Sequence, residues 1–437
     1  MIISVHGLAA ALQNLLTDAA EIAAQESGFC RRRRKITGAG FVQSLVLGWM
    51  GNPKADLDDL AAPLGVTVQS LQERFNDRAL DLLGRLLVQA MAILFEARPE
   101  TIPLLRRFVA VVAEDGTVCS LPASLASKYP GCGGSDSEGG RAGVKLMVRL
   151  ELITGAVSIG APAPARDSDR ARLGDLPPLP RGSLRLVDLG FFDLERMARD
   201  TAEGVSWISR APARLKVQSD GEPAQNISDW LKHQRGDRVD ATVTLGRKGG
   251  LTCRLVAIRA SRKVAQRRLT RMRKKLSKKG RKLSDAQRIM CEWMVLITNL
   301  VDAASFTLEQ LWVLYRARWQ VELLFKRWKS GGGLGQSRGR IGGRVLGELL
   351  AKLLAVLIKH WGTLLRGGPL SIVSATRATK CVGKWAERLA AAAGTNRLSE
   401  IADVLEQLKE SLDRLPKRPR RKRPTTRQLL YIPRFTP

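Results

Sequence analysis

Apolar residues recur with a helical period over residues 8–24 and again over 41–50, where Gly51, Asn52 and Pro53 end the run. From residue 108 the pattern changes. Residues 108–113 are a short apolar run that predicts a strand ending in Glu114-Asp115-Gly116-Thr117. A polar, Gly-rich stretch, 131–140, predicts a loop, and 144–152 with 157–160 predicts a hairpin about Thr154-Gly155. Beyond a Pro- and charge-rich connection at 161–180, residues 183–187 predict a strand running into Asp188-Leu189-Gly190-Phe191-Phe192. A short helix at 194–198 and a strand at 204–209 follow, then two β runs, 241–245 and 251–258, flanking Gly246-Arg247-Lys248-Gly249-Gly250. Residues 292–298 return to a β pattern. A long helix opens at Phe306 and closes at Ser330-Gly331-Gly332-Gly333, and 341–365 and 385–412 are further helical regions. No internal repeat is present.

Length and charge narrow the classes. The 437 residues suffice for two or three domains, and 44% hydrophobic content excludes wholesale disorder. The formal charge of +31 favours a polyanionic partner, nucleic acid being the commonest. A membrane is not expected: the most apolar long stretch, 345–365, carries Glu348, Lys352 and Lys359 and reads as a buried helix. Residues 1–24 contain Asp18 and Glu21 and lack a basic start, unlike a signal peptide. The six cysteines are scattered without a C-x2-C pair, which reads as reduced cytosolic thiols rather than a zinc site. With only three histidines (His6, His233, His360), any acid/base or metal chemistry must rest on carboxylates.

Basic and polar clusters mark contact surfaces. Arg31, Arg32, Arg33, Arg34 and Lys35 form one block. Downstream, Ala61, Gly65, Val66, Thr67 and Leu71 have the spacing of a helix-turn-helix: Gly65 permits the turn, Thr67 caps the second helix, and Val66 and Leu71 pack inward. Gln69, Ser70, Gln72 and Arg74 then face outward along a helix 67–75, as groove readers do, the alternative being an ordinary helical hairpin. Residues 259–282 carry thirteen Lys/Arg and no acid, a solvated arm or a surface for DNA backbone. Seven of the eleven residues 417–427 are Lys or Arg, which predicts a disordered basic extension.

The chemistry concentrates at Tyr315, Arg318, Glu322 and Lys329, spaced Y-x2-R-x3-E-x6-K. On one continuous helix these side chains fall within roughly 60° of a single face, while Leu314, Ala317, Val321, Leu324 and Trp328 line the adjoining flank. A carboxylate among cations suits a metal ion beside a phosphate; a solvated charged face is the plainer alternative. Asp115 and Asp188, each at a predicted strand end, supply two more carboxylates on rigid supports, or serve merely as turn residues.

This spacing resembles the Y-R-E-K motif of bacterial insertion-sequence DDE transposases of the cut-and-paste type. Asp115-Gly116-Thr117 resembles the family's first-acid motif and Asp188-Leu189-Gly190-Phe191 its second, with Leu189 where many relatives have Arg. The acids lie 73 and then 134 residues apart, the second gap matching the family's β-rich insertion. Trp293-Met294-Val295-Leu296-Ile297-Thr298 resembles the strand before the Glu helix.

The resemblance implies an α/β (α+β) fold with an RNase H-like catalytic core. The expected organisation is a helical DNA-binding domain at 1–103, a catalytic domain at 104–345 with a β-rich and basic insertion at about 211–290, C-terminal helices at 346–412 and a basic tail at 413–437. It implies Asp115, Asp188 and Glu322 as catalytic ligands of two Mg2+ ions, with Mn2+ able to substitute. Tyr315, Arg318 and Lys329 would contact DNA backbone, and Arg210 resembles a family Arg near the active face. Trp293 is a candidate to stack on a flipped base, the alternative being a core Trp. The implied partners are double-stranded DNA, both transposon ends and target, and a second copy of the chain in the DNA complex, in the bacterial cytosol. An alternative is a catalytically inactive regulator that binds terminal repeats, and a weaker one is a plain nuclease of the same fold.

Overall fold

Three short apolar runs become neighbouring parallel strands: Val111–Leu121, Leu184–Val187 and Ser206–Arg210. Val111, Val112, Leu184, Leu186, Trp207 and Ile208 on these strands are almost wholly buried. The computed structural model describes residues 2–32, 35–93, 95, 97–98, 102–132, 141–219, 221–246, 250–278, 280–367, 373–417 and 424–431. The chain divides into two units, one of residues 1–100, 116–168 and 320–422, the other of 101–115, 169–319 and 423–437.

In the second unit the sheet continues outward from Ser206–Arg210 with antiparallel partners. In order these are Trp293–Thr298, Leu251–Arg259, Arg238–Leu245, Lys216–Gln218 and Gln225–Asn226. The sheet is therefore mixed. Helices Leu194–Ala202, Ile227–Lys232, Arg262–Ser277, Asp285–Glu292, Leu308–Ala317 and Thr426–Tyr431 belong to this unit with several shorter turns. The basic run thus includes a regular helix, Arg262–Ser277, of which Ala265 is the sole buried residue.

A buried ion network locks the first two strands. Arg185 donates to Glu114 at 2.6 Å and meets Asp200, on helix Leu194–Ala202, at 2.8 Å. All three are almost wholly buried. A second buried guanidinium, Arg254, donates to both oxygens of Asp240 at 2.6 Å and to the Phe306 carbonyl at 2.6 Å. It ties the Leu251–Arg259 strand to its neighbour and to the loop before Leu308–Ala317.

The first unit is mainly helical. Its longest helix, Gly342–Leu364, is buried along most of its length, as the apolar pattern of 345–365 requires. Lys352 pairs with Glu348 at 2.7 Å, so these two buried charges compensate each other. The hairpin expected about Thr154-Gly155 forms from Ala142–Glu151 and Val157–Ile159, with Gly155 at φ 69° in its turn. Among the described residues no helix is long and apolar enough to cross a membrane.

Several boundaries differ from the sequence reading. The strand bearing Asp115 runs on to Leu121, because the alternation persists: Thr117 and Cys119 are buried while Val118 and Ser120 are exposed. The 8–24 run is two helices, Val5–Leu16 and Asp18–Glu26, parted at Thr17. The 385–412 run is also two, Ala386–Gly394 and Leu398–Asp413, parted where Asn396 adopts φ 56°. The expected helix 67–75 is only Val68–Gln72, since Asn76 starts a new helix at Asp77 by accepting from the Arg78 and Ala79 N–H groups. Thr425 begins a short helical segment, Thr426–Tyr431, which overlaps the expected disordered extension at 417–427 only in its first two residues. Residues 133–140, 247–249 and 418–423 of the expected loops and tail lie outside the described residues.

Two outcomes test this packing. Arg185→Met leaves two buried carboxylates without their cation and is expected to cost about 3–5 kcal/mol, read as a lower urea midpoint; an unchanged midpoint would show that the network carries no weight. Burial holds the His360 imidazole down at about 4, against 6.5 for the free side chain, while its ring nitrogen meets the Gly155 carbonyl at 2.6 Å. Above pH 6.5 the ring is neutral in both states; as pH falls toward 4 only the unfolded chain takes up the proton, so stability falls by on the order of 3 kcal/mol. His360→Gln should flatten that fall, and an identical pH profile in the variant would contradict the assignment.

Candidate active site

The parallel register sets the site. Val111 lies beside Leu184, Val112 beside Arg185 and Ala113 beside Leu186. Each pair is offset by 73 residues, as are Asp115 and Asp188, so continuing the register brings the two acids level on adjacent chains. Strands in a sheet lie about 4.8 Å apart, close enough for both carboxylates to face one cation. Asp115 follows Glu114 in the strand, so the two side chains point to opposite faces. Glu114 enters the buried network with Arg185, and Asp115 is left for the other face. Asp188 follows the last strand residue, Val187, and its extended backbone opens the tight turn Leu189–Phe191.

Arg318 joins the acids. Its guanidinium lies 3.4 Å from Asp115 and 3.9 Å from Asp188, and its side chain is only 9% exposed against 22% and 37% for the carboxylates. Tyr315 donates its hydroxyl to Asp188 at 3.2 Å. Burial raises the Tyr315 phenol well above its ordinary value, and the Asp188 charge pushes it further. The hydroxyl therefore stays protonated and keeps its role as donor.

The helical run that carries these residues is not continuous. Leu308–Ala317 ends in a tightened turn where the Arg318 N–H bonds the Tyr315 carbonyl, and Trp319–Gly332 begins immediately after. The expectation of one unbroken helical face is corrected here: Tyr315 lies on the first helix, Arg318 at the junction, and Glu322 and Lys329 on the second. Glu322 is half-buried in the first turn of its helix. Lys329 is exposed in the last turn and opposes the strong upward push that burial gives the Cys119 thiol, to about 11.

A cavity of about 660 Å3 opens beside Asp188, lined also by Arg210, Trp293, Trp312, Tyr315 and Arg318. Arg210 is the exposed last residue of its strand. Trp293 is 3% exposed, with the Arg259 guanidinium 4.5 Å above its ring, so it is packed as a core side chain while touching the cavity wall. Arg268, Arg271 and Lys275 add three cations to that wall. The sequence reading did not single them out, although their i, i+3, i+7 spacing on a helix was legible. Burial, and then the like charge of Arg210, lowers the Arg268 pKa.

The N-terminal candidates are dispersed. Arg31 and Arg32 are exposed, and Arg33 and Arg34 lie outside the described residues. In the turn, Gly65 takes φ 61° and Thr67 accepts from the Ser70 N–H, as expected. Gln69 is exposed and donates to Glu73 at 3.2 Å. Gln72 is half-buried and accepts from Arg344 at 3.0 Å, and Arg74 sits over the Phe29 ring.

Among the described residues no three His, Cys, Asp or Glu side chains are grouped as a metal cluster; Asp115 and Asp188 form a pair. That pair fits a hard divalent cation in chemical type, because its donors are carboxylate oxygens and it already attracts a cationic group.

Two level acids on parallel strands thus adjoin a cavity lined by cations. Residues 109–358 match the transposase DDE domain family. The chain belongs to that family, as a bacterial insertion-sequence transposase. It is 27% identical over 337 residues to the transposase for insertion sequence element IS231F of Bacillus thuringiensis subsp. israelensis, covering 70% of this chain and 69% of that protein. It is 25% identical over 337 residues to the transposase for insertion sequence element IS1151 of Clostridium perfringens, covering 70% of each.

The electrostatics of Tyr315 are open to measurement. The chain has three tyrosines. In an ultraviolet titration one of them is expected to ionise above the others, and Asp188→Asn should bring that step down by removing the neighbouring charge. Three steps that coincide, unmoved by Asp188→Asn, would contradict the described contact.

Proposed function

We propose that the chain binds the terminal inverted repeats of its element and performs cut-and-paste transposition by metal-dependent cleavage and strand transfer. The observation that carries this reading is the level pair Asp115 and Asp188 facing a shared cation, Arg318. In this reading Asp115, Asp188 and Glu322 hold two Mg2+ ions, or Mn2+, within an RNase H-like core. Bound there, the ions would make water a stronger nucleophile and neutralise charge on the phosphate.

The remaining roles belong to the chain's own side chains. Tyr315, Arg318 and Lys329 hold the DNA backbone beside the acids, with Arg210 further along the cavity. Trp293 is the candidate surface for a base displaced from the duplex. Its burial favours a supporting place in the cavity wall. The charge of the chain and the exposed helix Arg262–Ser277 support a long track for phosphates.

Recognition of the ends is assigned to residues 1–103. Val68–Gln72 would lie in a groove, with Gln69, Gln72 and Arg74 near the bases and the block Arg31 to Arg34 on phosphates. The catalytic domain would span 104–345, with its β-rich and basic insertion at about 211–290. Two protomers would pair on DNA, through the helices of 346–412, because two ends must be joined at once. Repulsion from a charge of +31 opposes that pairing until DNA neutralises it. The reaction would take place in the bacterial cytosol.

The test uses purified full-length protein, Mg2+ and duplexes carrying the ends of its own element. Nicking, excision and a paired-end complex are expected together. Asp115→Asn should abolish nicking and leave end binding intact. Wild-type nicking by Asp115→Asn would remove that acid from the mechanism. End binding without nicking in either Mg2+ or Mn2+ would favour the inactive regulator.

A further inference from the structure

We infer that Arg318 is an exchangeable counter-ion: without DNA it occupies the acid pair and disfavours a divalent cation there, and a DNA phosphate draws it off. The inference rests on the proposed reading that Asp115 and Asp188 hold metal, and deepens it by coupling metal uptake to DNA.

Three observations carry it. First, one guanidinium serves both acids, so it stands where a cation bridging them would exert its charge. A monocation and a dication a few ångströms apart repel, and the 9% exposure of the Arg318 side chain limits the screening at its end, the acids being 22% and 37% exposed. Second, the contact is loose. Arg318 lies 3.4 and 3.9 Å from its acids, whereas Arg185, on the Leu184–Val187 strand, holds its own acids at 2.6 and 2.8 Å. Charge-assisted pairs at their best lie at about 2.7–2.9 Å, so Arg185 sits at the optimum for a structural clamp and the contacts of Arg318 with this acid pair are longer than that optimum. Third, Arg318 itself lines the cavity beside Asp188. A modest rotation of its side chain would carry the guanidinium into that space, where a phosphate can accept the planar, two-pronged donor.

The coupling is reciprocal. Whatever removes Arg318 from the acids raises their affinity for a dication, and a dication on the acids frees Arg318 for phosphate. Arg318 is thus a positioning residue whose partner changes with the state of the site. A protein with this device loads metal mainly when DNA is present, and the free chain is guarded against unguided cleavage.

The experiment measures Mn2+ binding to full-length protein by electron paramagnetic resonance of the free ion, with no activity readout. Arg318→Gln should bind Mn2+ tighter than the wild type by on the order of tenfold in the absence of DNA. Arg318→Lys, which keeps the charge, should stay near the wild type. A duplex carrying the element's ends should tighten Mn2+ binding to the wild type and have little effect on Arg318→Gln. Adding Asp188→Asn to Arg318→Gln should abolish the gain. If Arg318→Gln and the wild type bind Mn2+ equally, and both lose it on Asp188→Asn, the acids hold metal and the exchange is wrong. If Mn2+ binding ignores Asp115→Asn and Asp188→Asn altogether, the reading of the acids falls and this inference falls with it. Melting curves of each variant establish that it is folded before it is scored.

Discussion

The buried contact of Arg185 with Glu114 and Asp200 is the constraint on which the site depends. It joins two parallel strands and a helix through one guanidinium that water does not reach. Slippage of either strand by one residue would turn Glu114 away from Arg185 and leave charge buried without a partner. The same slippage would turn Asp115 inward. Because neighbouring side chains on a strand alternate faces, fixing Glu114 on one face fixes Asp115 on the other. The network therefore specifies the register that makes Asp115 and Asp188 level, although none of its members touches the acids' shared cation in the described contacts.

Much of this was legible along the chain, and what was not has a common cause. The strands of the centre could be read because their apolar runs are short and bounded by polar turns, as at 183–187 before Asp188. Asp115 and Asp188 could be singled out because they follow such runs; their role as metal ligands belongs to the proposed function. Glu114, Arg185 and Asp200 could not be assembled, since their meeting depends on pairing between strands that sequence periodicity does not encode. The continuation of the first strand past Asp115 was hidden by Gly116 and Thr117, which look like a turn until Cys119 and the buried Thr117 are seen to keep the alternation.

Helix boundaries show the same limit in another form. A periodic pattern survives a one-residue interruption, so 306–330 reads as one helix although Arg318 sits at a junction. The side chain at that junction is the one that reaches both acids. In the N-terminal region the reverse holds: Gly65 and Thr67 act locally, and both behave as their residue types dictate. The outward placing of Gln72 and Arg74 was a question of neighbours, and both have found partners within the protein, Arg344 and Phe29.

The cations around the cavity carry the last step of the argument. Arg210, Arg268, Arg271, Lys275 and Arg318 all border one space of about 660 Å3. Crowding of this kind opposes itself: burial and the nearby Arg210 make the charge on Arg268 harder to keep. A fold that only had to be stable would gain by replacing some of these residues with neutral ones. On the proposed function their presence beside Asp188 is accounted for by a DNA phosphate, which would relieve the repulsion and supply acceptors for several guanidinium groups at once. On that reading the repulsion of the free state would become affinity in the bound state. It also gives direction, since among the described residues the only carboxylate on that wall is Asp188, which shares Arg318 with Asp115.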